Sequence, residues 1–181
     1  QPKPFISVNG KNMVDQAVHC LPKTDRTIYA CLKSHQSPGD DVVWIDEVLE
    51  GQACTTEKIV ENCGEGSILV SACDNGVFYD ADKFLELVND ESNDIIVWTY
   101  RNNYTSQLQP NAYSWVNCDA DGNVSSVDVK VFRGTNPVEE FAITGTMFFR
   151  SKKVFDTSLK SLYKNNVRTN GEFYVDSMLN E

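Results

Sequence analysis

Apolar positions recur at helical spacing at Met13, Val14, Ala17, Val18 and Leu21, between an Asn9-Gly10-Lys11 turn and Pro22. Steps of three and four place them on one face, so the pattern predicts a first helix that ends before the proline. Thr27 to Lys33 and Val42 to Asp46 are short apolar or β-branched runs on either side of a Ser37-Pro38-Gly39 turn, and they read as buried strands. A helix is predicted over Thr55 to Cys63, with Ile59, Val60 and Cys63 inward and Gly64 as its stop.

The run Ser67-Ile68-Leu69-Val70-Ser71-Ala72-Cys73 has no strongly polar side on which to face water. It is expected to be a central strand of a parallel sheet covered on both faces. An Asp80-capped helix carrying Phe84, Leu85, Leu87 and Val88 follows, and then a strand over Asp94 to Thr99. Beyond Thr99 the pattern alternates. Tyr113 to Cys118 and Val124 to Phe132 form a hairpin through Asp119-Ala120-Asp121-Gly122, and Glu140 to Phe149 is a further strand. A Ser151-capped helix with Val154, Phe155, Leu159 and Leu162 and a helical segment from Glu172 to Leu179 complete the reading. The alternation predicts an α/β fold: an open mixed, mostly parallel sheet with helices on both faces. No internal repeat or linker divides the chain, so residues 1–181 read as a single domain.

Composition narrows the partners. Apolar residues at 41% and charged residues at 23% are ordinary for a globular domain, and no apolar run approaches the roughly 20 residues that span a bilayer. A net charge of −10 with dispersed basic residues works against a nucleic-acid partner, so a phosphate ligand would have to be held locally. Gln1 to Phe5 has neither a cationic leader nor an apolar stretch, and the six cysteines include no C-x-x-C pair. Free thiols in a cytoplasmic protein are therefore expected, with the sequons at Asn103 and Asn123 unused. His19 and His35 stand alone and read as helix-face and loop residues.

In open α/β sheets, ligands gather at the carboxyl ends of strands. Asp74 stands at such an end, where a carboxylate can face a crevice and hold Mg²⁺ against nucleotide phosphates. Asp74-Asn75-Gly76 is equally a good turn on backbone grounds alone, and both readings stay open at this point. Glu50-Gly51-Gln52-Ala53 offers a close backbone approach just ahead of a helix start, or a plain loop and cap. Lys3 and Lys11 are candidate phosphate contacts or solvated surface lysines. Glu172 is a candidate acceptor for sugar hydroxyls, or an acid that complements a helix dipole. No Ser/His/Asp or Cys/His arrangement, zinc spacing or P-loop is present.

In order along the chain, these segments resemble the sugar-1-phosphate nucleotidyltransferase family, the nucleoside-diphosphate-sugar pyrophosphorylases, including their capsule and lipopolysaccharide branch. Pro2-Lys3-Pro4-Phe5-Ile6-Ser7-Val8-Asn9-Gly10-Lys11 is similar to the family's P-K-P-L-I-x-V-x-G-K. Ile45 to Ala53 resembles the loop over the nucleobase, Ile68 to Asn75 the strand ending in the metal aspartate, and Ala142 to Gly145 the sugar-contacting strand. Asn170 to Val175 matches N-G-E-F-Y-V. The resemblance implies the Rossmann-like nucleotide-diphospho-sugar transferase fold and an enzyme joining a nucleoside triphosphate to a sugar-1-phosphate with release of pyrophosphate. It further implies Lys3 on the phosphates, Gly51 and Gln52 on the base, Asp74 on Mg²⁺, and Lys130, Gly145 and Glu172 on the sugar phosphate and sugar.

The chain departs from the family in several places. Val129 stands where a glutamate is usual, and the link from His35 to Asp41 is short. The family's amino-terminal strand and G-x-G-x-R loop correspond to positions before Gln1, and its second metal aspartate to a position beyond Glu181. The expectation is a nucleotidyltransferase-like domain without its phosphate loop and C-terminal segment. Two other readings share the architecture: a catalytically silent nucleotide-sugar-binding domain and a metal-dependent glycosyltransferase.

Overall fold

A computed structural model of the chain describes residues 1–181. Strands β1 (Ser7–Val8) and β2 (Lys11–Asn12) pair antiparallel across Asn9 and Gly10, whose φ angles of 50° and 80° suit a two-residue turn. Helix α1 (Met13–His19) follows directly, burying Val14 and Ala17. Next come β3 (Tyr29–Leu32), β4 (Val42–Ile45), α2 (Gln52–Val60), β5 (Ile68–Ser71), α3 (Ala81–Asn89) and β6 (Ile95–Tyr100). The hairpin β7 (Ser114–Cys118) and β8 (Val124–Val129), the long β9 (Phe141–Phe149) and α4 (Lys152–Lys164) complete the regular elements.

Local chemistry fixes most boundaries. The Asp80 carboxylate accepts from the Lys83 amide at 3.0 Å and the Ser151 hydroxyl from the Val154 amide at 3.2 Å, so α3 and α4 begin where their caps predict. Helix α2 begins earlier than the expected Thr55, because Gly51, at φ 126°, turns the chain straight into Gln52. The last segment also differs. Glu172 forms a bridge with Thr169, and helical winding starts only at Val175, as a 3-10 turn over Val175–Asn180.

The sheet is mixed, but its directions differ from the expectation. Only β3 and β4 pair in parallel, as a separate two-stranded unit. In the five-stranded sheet β5, β6 and β7 all pair antiparallel with β9, and β8 extends it beyond β7. β5 and β6 do run the same way, yet they never touch, because β9 lies between them. β5 is therefore not the central strand of a parallel sheet; β9 holds the centre, and β5 is hydrogen-bonded on one side only.

Helices cover both faces, as expected. Successive residues of a strand point to opposite sides. Phe149 meets Phe155 of α4 at 5.2 Å on one side, and Phe148 meets Phe84 of α3 at 5.8 Å on the other. The larger core lies on the α4 side, where Ala53, Val60, Leu159 and Leu162 join Met147, Phe173, Val175 and Met178. Burying each large side chain contributes roughly 1.5–3 kcal/mol, so the C-terminal segment is firmly anchored. No helix is long and apolar enough to cross a membrane.

Candidate functional site

The registers gather candidate residues at one end of the sheet. β5 finishes opposite Thr146, β6 finishes opposite Ala142, β7 starts beside Ala142, and β8 ends opposite Ser114. Asp74, Gly145 and Lys130 thus all lie near this end. Gly145 sits in a bulge, since Thr144, Gly145 and Thr146 face the single residue Trp98 of β6. Its φ is 87°, and a Cβ there would lie 3.1 Å from that of Ala72. The bulge binds the end of β5 twice: the Ala72 amide donates to the Gly145 carbonyl at 3.0 Å, and Asn75 Nδ2 donates to the Thr144 carbonyl at 2.6 Å.

Asp74 is held between those two hydrogen bonds. Its Oδ2 lies 3.3 Å from the Lys3 ammonium, with the Lys3 side chain 72% exposed and that of Asp74 31% exposed. Lys3 stands on a 3-10 turn pinned by the buried Phe5. The neighbouring Cys73 thiol is pushed up, first by burial and then by the Asp74 charge, against an opposing pull from Lys3. Lys3, Asp74 and Gly145 therefore form one group. Lys11 is exposed on β2 and has no ion-pair partner.

A second group forms around Gly51. A Cβ on this residue would fall 2.5 Å from the Phe173 carbonyl oxygen and 2.7 Å from the Phe173 nitrogen, so only glycine fits. The Phe173 amide donates to the Glu50 carbonyl at 2.8 Å, and the Ala53 amide to the Phe173 carbonyl at 2.9 Å. Arg168 ties the loop further, pairing with Glu50 and stacking 3.8 Å over the Phe173 ring. Gly51, Gln52 and Glu172 are thereby adjacent, with Glu172 exposed. No hydrogen bond or ion pair links this group to the Lys3–Asp74 pair.

Lys130 belongs with the second group through Tyr174. Its backbone is left-handed at φ 55°, and its ammonium donates to the Ala112 carbonyl at 2.6 Å while lying 5.5 Å over the Tyr174 ring. Burial, then the Glu172 charge, pushes the Tyr174 phenol up. Asp176 completes the cluster and was not singled out from the sequence. It is only 8% exposed, and burial raises its carboxyl against the opposing effects of Ser114 and Lys130. The one sequence signal was its place two residues after Tyr174, inside the segment that supplies Glu172.

Two cavities lie elsewhere. One of about 220 Å³ between α2 and α4 is lined by Glu57, Lys152, Asp156 and Tyr163 among others, and one of about 260 Å³ by Gln1, Pro2, Phe5, Ser34, His35 and Gln36. The second borders the turn that carries Lys3. No three His, Cys, Asp or Glu side chains converge as a metal cluster. At the Lys3 site the carboxylate that meets the ammonium is Asp74. One carboxylate still fits Mg²⁺, which is commonly held by one or two carboxylates together with substrate phosphates and water. A cation, the Lys3 ammonium, already rests on that oxygen.

No family model and no curated protein sequence matches the chain. Solved structures do. A nucleoside-diphosphate-sugar pyrophosphorylase from Vibrio cholerae is 17% identical, with a TM-score of 0.64 over 99% of this chain and 78% of that one. A protein from Bacillus anthracis described as a glucose-1-phosphate thymidylyltransferase, in complex with sucrose, is 18% identical, with a TM-score of 0.69 over 98% of this chain and 72% of that one. HddC from Yersinia pseudotuberculosis, complexed with GMP-PN, is 19% identical, with a TM-score of 0.61 over 86% of this chain and 70% of that one. At these identities the likeness is one of architecture, and on it the chain has the nucleotide-diphospho-sugar transferase fold.

Proposed function

We propose that this chain is the catalytic domain of a sugar-1-phosphate nucleotidyltransferase. An oxygen of the sugar phosphate attacks the α-phosphorus of a nucleoside triphosphate, the bond from that phosphorus to the β-phosphate bridging oxygen breaks, and pyrophosphate leaves. The observation that carries the reading is the Lys3–Asp74 pair, presented beside the Gly145 bulge at the end of the sheet where strand ends converge. Such a reaction needs no covalent nucleophile. It needs positioning and neutralisation of phosphate charge.

The residues divide the work accordingly. Asp74 would hold Mg²⁺, which supplies charge neutralisation at the triphosphate when bound. Lys3 is exposed and would pair with a phosphate oxygen. Gly145 would meet the sugar through its backbone, its missing Cβ allowing the close approach of Ala72, and the exposed Glu172 would accept the sugar hydroxyls. Gly51 and Gln52 would border the base, with Gly51 also fixing the loop on Phe173. Lys130 would approach the sugar phosphate by leaving its bond to Ala112.

Other features extend the proposal. All six cysteines are free, which favours a reducing, cytoplasmic setting. Resemblance to the capsule and lipopolysaccharide branch supports a product that would serve surface-polysaccharide synthesis. β3 and β5 each have an unpaired edge, open to pairing with a further strand.

The test is pyrophosphate release from a panel of triphosphates, sugar-1-phosphates and Mg²⁺. Release is expected only when all three are present, and Asp74→Asn should lower it by at least about 10²-fold with an unchanged urea midpoint. Sugar-independent release, full activity of the variant, or its failure to fold would each reject the assignment.

A further inference from the structure

The Lys3–Asp74 pair joins two side chains of different exposure. Asp74 is 31% exposed and sits between two hydrogen bonds from the end of β5 to the Gly145 bulge. Lys3 is 72% exposed, and its ammonium makes no hydrogen bond other than the one at 3.3 Å to Asp74 Oδ2. The backbone on either side of Asp74 is tied to the bulge, whereas the Lys3 ammonium has no partner but the carboxylate. A hydrated or phosphate-bound divalent ion on Asp74 would claim the oxygen that the ammonium now holds, and both cations cannot crowd it without strong repulsion.

We propose that Lys3 is a resident counter-ion that a divalent cation must displace from Asp74, after which the ammonium turns to the triphosphate. The inference rests on the reading of Asp74 as the metal carboxylate, and adds how that site is regulated. Without a phosphate ligand, metal binding must break the Lys3 contact and is weakened. With one, the released ammonium gains a new anionic partner. Metal and triphosphate therefore strengthen each other's binding, as reciprocal linkage requires. Premature metal loading is suppressed by the same contact.

Mn²⁺ serves as a paramagnetic probe for a hard-oxygen site. Its binding to the nucleotide-free chain can be titrated by electron paramagnetic resonance in the wild type, Lys3→Met, Lys11→Met and Asp74→Asn. An exposed ion pair of this kind corresponds to an affinity change of about two- to fivefold, so Lys3→Met is expected to bind Mn²⁺ tighter by that factor. Lys11→Met removes the same charge from an unpaired lysine and should match the wild type. Unchanged or weaker binding in Lys3→Met, or an equal gain in Lys11→Met, overturns the displacement proposal alone. Retention of the site by Asp74→Asn overturns the metal-carboxylate reading on which it rests.

Discussion

Asp176 shows how one side chain can carry a pH signature. Burial disfavours its ionised form, so the folded protein holds its proton to a higher pH than the ordinary value of 3.8. Between that value and the raised one, the folded state binds more protons than the unfolded state, and stability falls as pH rises. The contribution is fully present below the unfolded value and is lost once pH has passed through the folded one. Asp176→Asn keeps the shape and cannot ionise. Its stability relative to wild type should therefore grow from about pH 4 upward and then level off, as read from urea midpoints across a pH series; parallel curves would contradict this. Asp74 was legible in the sequence because it ends an apolar run, whereas Asp176 was not. Its shift comes from burial, which only the fold creates.

At the level of elements, whatever local chemistry decides was readable. The Asp80 and Ser151 caps, the Asn9-Gly10 turn and the Asp119 to Gly122 hairpin all occur where the residues place them. Strand direction was not readable, because the partner of β5 is contributed from far along the chain: Ser71 meets Thr146, 75 residues on. Apolar continuity reports that a strand packs against the core, and β5 does so through Ile68 as an edge strand paired antiparallel with β9. The start of α2 was misjudged for a similar reason, since Gly51 owes its conformation to Phe173. Gly51→Ala should thus cost about 3 kcal/mol or more, through a forbidden φ and overlap with Phe173 backbone atoms. Gly122→Ala has a positive but less extreme φ of 89° and open space around it, and should cost only about 1 kcal/mol in the same urea titration. Equal losses would show that backbone strain alone, without the Phe173 contact, sets the cost.

Across the whole molecule, the α/β class was legible from alternation, while the meeting of Lys3, Asp74 and Gly145 required the antiparallel insertion of β9, which no local pattern announces. The global charge was legible from the start, and it bears on how the site captures a ligand. Twenty-six acidic residues against 16 basic ones give a field that repels a nucleoside triphosphate before it arrives. Local attraction is weak in the unliganded chain, because the ammonium of Lys3 is already neutralised by Asp74. Repulsion should dominate encounter, and salt should relieve it: the screening length falls from about 20 Å to about 7 Å between roughly 20 and 200 mM salt. The association rate of a fluorescent triphosphate analogue without divalent cation, followed by stopped flow, is expected to rise over that range. A rate that falls instead would mean that a positive local field outweighs the net charge of −10, and Lys3 would then have to be free of Asp74 before the ligand arrives.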